Sequence, residues 1–367
     1  MITKALTAIF LALSFTSISQ ISVSDFSKKF PNDDTKAIQA AFDYLDSLGH
    51  GSLDFDGTKK YRIYKSIELP RYKTSGRRIF VINGNGCEII AKPGFSIFNR
   101  IPKDQKEALE KMMSTRFSIN DFTFTQGDKA INLGATFGSN INRCNFVAQY
   151  IAAIDIQFGL STEINHCIAT NCKSDAFVLR TGEDWGGNTN NSQSNHSVVN
   201  MCRVYAAKGA KTSFKILGSG GVALRDIISE GSNEVDYAVY FDKLSSSTVR
   251  MFSILNFHLE HSAKEAAIYI RNTGVTSIEG VYYQKAYAEF PLIHAAAGTD
   301  LVSLKYIPHY VAGTILKADN NDVIWRLEHC HNNFYEAANW RVKSKEGYQK
   351  KIPFYMNGIK FRGQNVK

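Results

Sequence analysis

Ile119-Asn120-Asp121-Phe122, Ile141-Asn142-Arg143-Cys144, Ile164-Asn165-His166-Cys167 and Val199-Asn200-Met201-Cys202 are one phrase written four times. Each copy has an aliphatic residue, an asparagine, a variable residue and an apolar one. Weaker copies start at Leu224, Ile254, Ile278, Leu301 and Ile324. A second strand-like phrase follows each: Ala130-Ile131-Asn132-Leu133, Ala153-Ile154-Asp155-Ile156, Ala176-Phe177-Val178-Leu179, Ser213-Phe214-Lys215-Ile216, Ala238-Val239-Tyr240-Phe241 and Ala267-Ile268-Tyr269-Ile270. Less perfect copies centre on Leu292 and Ile315. From position 131 onward the first apolar residues of this series are 23, 23, 37, 25, 29, 24 and 23 residues apart. Two series that keep one beat, in one order, mark a solenoid.

The period fits leucine-rich repeats in length, but their LxxLxL spacing is missing. Short strands, little helix and asparagine at a fixed place predict an all-β, single-stranded right-handed parallel β-helix with an N-terminal capping helix. Each period is then one coil of two or three strands, stacked about 4.8 Å from the next. Phe122, Cys144, Cys167 and Cys202 should form one inward ladder; Ile131, Ile154, Phe177 and Phe214 should form another. Asn120, Asn142, Asn165 and Asn200 should stack at one level, amide bonding amide. The ladder cysteines read as small buried hydrophobes, not nucleophiles.

Working outward, residues 117–331 hold the regular coils and residues 21–116 the N-terminal cap and first coils. Within the latter, Asn32-Asp33-Asp34-Thr35 starts a helix whose Ile38, Ala41, Phe42 and Leu45 share a stripe, and Gly49 ends it. A second helix is expected over residues 103–113. Residues 332–367, basic and aromatic, read as a C-terminal cap or an oligomer contact. At the start, Lys4, an apolar run over 5–15 and small residues at 17 and 19 give residues 1–20 the form of a secretory signal. The alternative is an uncleaved apolar anchor that docks the chain to a larger assembly. The run is shorter than the roughly 20 residues of a membrane span, so no stable span is expected after processing.

The 367 residues are 44% hydrophobic and 21% charged, which excludes a disordered or collagen-like chain. A net charge of +9 suits an acidic partner. Six cysteines are too few for a disulfide scaffold, and no paired Cys/His spacing suggests structural zinc. Phosphate-binding, dinucleotide-binding and nucleic-acid motifs are missing, so no nucleic-acid partner is expected.

Ile21-Ser22-Val23-Ser24-Asp25-Phe26, then Asp33-Asp34-Thr35-Lys36-Ala37-Ile38-Gln39-Ala40-Ala41, resembles the opening of pectate-lyase-superfamily β-helix proteins. That group includes rhamnogalacturonase-like glycosidases, epimerase-like proteins and phage tailspike depolymerases. Gly49 to Gly57, followed by Tyr61-Arg62-Ile63, is similar to the group's glycine-rich strand entering the first coil. The resemblance spans residues 21–90 and implies the fold and an extended polysaccharide as substrate class. It carries over no catalytic residue. Tailspikes usually place a particle-binding domain ahead of this stretch; the short lead here favours a secreted enzyme or a minimal virion spike.

One step breaks the rhythm. Between Leu179 and Val198 the chain inserts Thr181-Gly182-Glu183-Asp184-Trp185-Gly186-Gly187-Asn188, then 189–195. Glycoside hydrolysis needs two carboxylates, about 5–5.5 Å apart for retention and about 6.5–9.5 Å for inversion. Glu183 and Asp184 are the first candidates, with Trp185 as a platform for a sugar ring. Asp155, near the root of the insertion, and Asp226, at the place matching His166, are further acids. Arg180 and Arg271 occupy equivalent places and could hold sugar carboxylates. Tyr240, Tyr269, Tyr282 and Tyr283 point outward as an aromatic track. His258-Leu259-Glu260-His261 brings a base and an acid close together, with His261 as a substrate contact. Arg71, Lys73, Arg77 and Arg78 form a basic loop. His329 and His331 share a strand face without a third ligand, so no metal site is expected. No cofactor is expected; Ca²⁺ enters only if the reaction is β-elimination from a uronate.

Two functions therefore stand open. One is a secreted or surface enzyme that cleaves an acidic polysaccharide, as glycoside hydrolase or polysaccharide lyase. The other is a non-catalytic glycan-binding spike or adhesin, homotrimeric and on a virion tail.

Overall fold

The computed structural model describes residues 20–361 except 72–77, 189, 219, 232, 245–250, 284–289, 307–313, 320–322, 329–339, 345–353 and 357–358. The signal-or-anchor reading, Lys73 and Arg77 of the basic loop, and His329, Cys330 and His331 lie outside those residues.

Strands stack in parallel, apart from the antiparallel pair Phe354–Met356 and Ile359–Phe361, into a 20-stranded and an 11-stranded sheet that share one apolar interior, the parallel β-helix that the repeat predicts. A coil is three strands, as in Thr115–Asn120, Thr123–Thr125 and Lys129–Phe137; the next is Asn140–Asn142, Asn145–Val147 and Ala152–Leu160. From Val222–Glu230 onward the first two strands run together as one. The first two strands of each coil belong to the larger sheet, the third to the smaller.

Each letter of the repeated phrase has a physical task. Its aliphatic residue points inward: Ile119, Ile141 and Ile164 are wholly buried. Its asparagine sits at the edge, where Asn165 Nδ2 donates to Asn142 Oδ1 at 3.1 Å. Asn142 in turn donates to Asn120 at 2.9 Å, and Asn120 to Asn83 at 3.1 Å. Asn200 is in register with Asn165, and Arg225 takes the next place. The variable residue turns the corner with a left-handed backbone: φ is 59° at Asp121, 52° at Arg143, 54° at His166 and 51° at Met201. That conformation costs a non-glycine residue about 1–2 kcal/mol. It is held because each corner N–H bonds to the next coil, Asp121 N to Asn142 O at 3.1 Å and Arg143 N to Asn165 O at 3.0 Å.

In the smaller sheet, backbone register stacks Ile67, Phe98, Ile131, Ile154, Phe177, Phe214, Val239, Ile268, Ile293 and Leu316 in one column. The last two correct Leu292 and Ile315 by one residue. Adjacent apolar residues at 292–293 and 315–316 leave the inward phase ambiguous in sequence. Pairing also runs past 117–331 at both ends: Gly51–Asp54 pairs with Arg78–Asn83, and Trp340–Ser344 with Thr314–Ala318.

The helix Asp34–Leu48 forms as its signals dictate, with Asp33 accepting from Lys36 N at 2.9 Å and Gly49 at φ 79°. Its Ile38, Phe42 and Leu45 are buried in the interior. The expected helix at 103–113 is a single α turn, Gln105–Glu107, widening into a π turn, Ala108–Met112.

Five of the six cysteines are described, and all five are free and buried. Burial, reinforced by the thiols above and below it, pushes Cys167 well up. These five thiols should stay silent to an aromatic disulfide reagent in the native state and react only in denaturant. Fast titration of more than one thiol in native protein would contradict the inward ladder.

Candidate active site

Outward residues of the smaller sheet alternate with the buried column. In register they run Glu68, Asn99, Asn132, Asp155, Val178, Lys215, Tyr240, Tyr269, His294 and Lys317. Beside Asp155 a second column stacks Gly134, Gln157 and Arg180. A strand spacing of about 4.8 Å makes both columns straight strips.

The insertion folds back over these strips. Glu183–Trp185 form one 3₁₀ turn between Gly182 and a left-handed Gly186. Trp185 is buried with Ala108, Met112, Ala135 and Phe158. Gly134 makes room: a Cβ there would lie 2.8 Å from the indole Cζ3. Buried serines stitch the loop down, Ser194 donating to Arg180 O at 2.8 Å and accepting from Gly159 N at 2.9 Å.

Below the turn lies an ion cluster. Arg180 Nε and Nη2 bind Asp155 Oδ1 and Oδ2 at 2.8 and 2.9 Å. Its Nη1 and Nη2 bind Asp184 Oδ1 and Oδ2 at 3.1 and 2.7 Å. One guanidinium nitrogen thus serves both acids, keeping an oxygen of each within two hydrogen-bond lengths of the other. Lys129 Nζ meets Asp155 at 2.6 Å and Asn132 Oδ1 at 3.3 Å. Gln157 Nε2 donates to Asp184 Oδ2 at 2.8 Å. Asp155 is nearly sealed, its side chain 4% exposed, while that of Asp184 is 44% exposed. Burial alone would lift the Asp184 carboxyl and lower Arg180. The hydrogen bonds and charges between the partners outweigh it, so Asp184 ends lower and Arg180 higher than usual. Both therefore stay charged at neutral pH.

The other candidates separate. Glu183 is exposed and accepts from Thr181 Oγ1 at 2.7 Å, away from the cluster. Trp185 is 6% exposed and anchors the loop; it offers no sugar platform in this state. Asp226 turns a corner of the larger sheet at φ 49° and accepts from Asn256 at 2.9 Å, so it pairs with neither acid. His261 is fully buried, its Nε2 2.6 Å from Ser229 Oγ, and is out of reach of a surface ligand. Arg271 lies exposed in the column of Arg180, 3.7 Å from Asp242. Tyr240 and Tyr269 do stack outward, centroids 4.8 Å apart, with Tyr237 packed against both. Tyr282 and Tyr283 belong to the other sheet, where Tyr282 meets His258 at 4.5 Å. Arg71 and Arg78 of the basic loop are paired with Glu68 and Asp46.

Lys129, Asn132 and Gln157 escaped sequence reading. Their signal was positional: Gln157 sits two residues after Asp155 on one strand and in register with Arg180. Lys243, under the insertion, was missed too. Its buried ammonium donates to Gln193 Oε1 at 2.8 Å and Gly218 O at 3.4 Å, and burial pulls its pKa from 10.5 to about 8. Between those values the unfolded chain binds the extra proton, so stability should rise as pH climbs from about 8 to 10.5. Denaturant titrations across that window should show the rise, and Lys243→Met should flatten it.

Among the described residues no group of three His, Cys, Asp or Glu is set to hold a metal, and no helix is long and apolar enough to cross a membrane. No protein-family model matches the sequence, and neither does any curated protein. Solved structures do match. The mannuronan C-5 epimerase A-module of Azotobacter vinelandii aligns at TM-score 0.57 and 12% identity, over 92% of this chain and 93% of that one. A tailspike protein of E. coli bacteriophage HK620 aligns at 0.53 and 11%, over 92% of this chain and 65% of that one. A surface adhesin of Streptococcus pneumoniae aligns at 0.50 and 12%, over 89% and 90%. At such identities the likeness establishes the parallel β-helix alone.

Proposed function

We propose that this β-helix binds an acidic polysaccharide along the outward strips of its smaller sheet and cleaves it beside Arg180. The observation that carries the reading is one guanidinium shared by Asp155 and Asp184, with Lys129 alongside, at the root of the insertion. Hydrolysis asks one carboxyl to hold a proton. Asp184, held low, is ill suited to that. Elimination asks for a cation against the uronate carboxylate and a base for the proton beside it; Arg180 and Lys129 are such cations, and the pH profile of cleavage reports the base. The two cations thus favour a lyase over a hydrolase. A straight strip of outward side chains suits a linear sugar chain, and polysaccharide is what the epimerase neighbour's name points to. The same reading puts the chain outside the cell, at a surface or on a virion tail, where such polymers are met.

The test incubates purified protein with uronate-rich and neutral polysaccharides, following unsaturated-uronate absorbance and reducing ends separately. Absorbance growing with the ends supports elimination; ends alone mean hydrolysis. Silence on every polymer leaves the second reading, glycan binding without turnover, which the Tyr237, Tyr240 and Tyr269 stack favours. Under that reading Tyr240→Ala should weaken retention in glycan affinity electrophoresis, and sedimentation should show a trimer.

A further inference from the structure

We infer that Arg180 and Gln157 form a ready-made seat for a uronate carboxylate, and that Asp184 occupies it as the chain's own stand-in. The inference rests on the acidic-polysaccharide reading and names the contact by which the sugar is recognised.

The seat is defined by what Asp184 receives: two N–H groups from the outer fork of Arg180 and one from Gln157. Three charge-assisted donors converging on one carboxylate are what a uronate would need. The inner edge of Arg180 is already committed to the sealed Asp155, which fixes the guanidinium plane. The fork is therefore pre-oriented, and little rotamer freedom is lost on binding.

Charge points the same way. Lys129 and Arg180 balance Asp155 and Asp184, so the closed cluster is neutral. Lifting Asp184 away uncovers one net positive charge, which an incoming carboxylate restores to balance. Asp184 is also the most exposed member, carried on a single 3₁₀ turn.

An orphaned polar atom shows that the closed state leaves the seat incompletely satisfied. Gln157 is fully buried, and its Oε1 has no hydrogen-bond partner. An acceptor buried without a donor is costly to leave so. A sugar brings hydroxyl donors next to its carboxylate, so a uronate supplies the donor that Gln157 Oε1 lacks, which the Asp184 carboxylate cannot do.

Titration calorimetry with D-glucuronate, and D-glucose as its uncharged counterpart, tests the seat in the full chain. Asp184→Asn should bind glucuronate about tenfold more tightly than wild type, with glucose unchanged in both. Adding Arg180→Lys should abolish the gain, because an ammonium keeps the charge and loses the fork. No gain, a gain shared by glucose, or a gain that survives Arg180→Lys overturns the inference. If Asp184→Asn does not fold, Asp184→Ala takes its place; failure of both overturns it too, since the seat must stand without Asp184. Polymer cleavage is read independently. A gain without turnover keeps the seat and removes the proposed reaction, while turnover without a gain removes the seat alone.

Discussion

Asp155→Ala should lower the free energy of unfolding by about 3–5 kcal/mol, the range for removing one partner of a buried ion pair. Asp155 is nearly sealed and answers two cations, Lys129 at 2.6 Å and Arg180 at 2.8 and 2.9 Å. Without it those two cations share Asp184 alone, and a net positive charge stays under the insertion, where little water reaches it. Urea denaturation measures the loss, and a change below about 1 kcal/mol, the scale of a surface pair, would show the cluster to be solvated. Uronate binding should vanish in the same variant, because nothing then fixes the plane of Arg180.

Phe98→Ala should be as damaging for a different reason. Its ring meets those of Phe42, Phe122 and Phe124 at 5.6, 5.5 and 5.2 Å, three edge-on contacts that tie the smaller sheet to the helix, to the residue after a corner and to the larger sheet. Truncating a buried phenylalanine costs about 3–5 kcal/mol, as lost transfer energy plus the cavity left behind. Stacked strands collapse poorly into such a gap, since every backbone is tied to the coil above and below. Tyr240, whose ring stacks on the outside, makes the contrast: Tyr240→Ala should cost under about 1 kcal/mol while weakening glycan retention. Thermal melts of the two variants together would show whether inside and outside of the sheet differ as the register states.

Much of the coil was legible because each residue in it answers to neighbours one period away. Ile131, Ile154, Phe177 and Phe214 stack as their spacing says, and Asn120, Asn142 and Asn165 bond amide to amide. The one-residue slip at Leu292 and Ile315 arose where two adjacent apolar residues fit either phase. Less of the site was legible. The adjacent acids Glu183 and Asp184 read as a unit, yet they turn to different partners, Thr181 and Arg180. Trp185 read as an exposed platform because a tryptophan among glycines and amides has no apolar neighbours in sequence. Its neighbours, Ala108, Met112, Ala135 and Phe158, come from three other segments.

Sequence by itself determined the stacked coils, the inward columns and the corners, because hydrogen bonding between copies of one phrase makes position within the period sufficient. Only the tertiary structure decided which polar groups meet outside the asparagine ladder. The insertion follows no period, and its path is set by an indole resting where Gly134 has no side chain and by serines tied to a neighbouring coil. That path turns Asp184 back onto Arg180, four residues before it, and onto Gln157, twenty-seven residues before it, where packing and not local pattern makes the meeting.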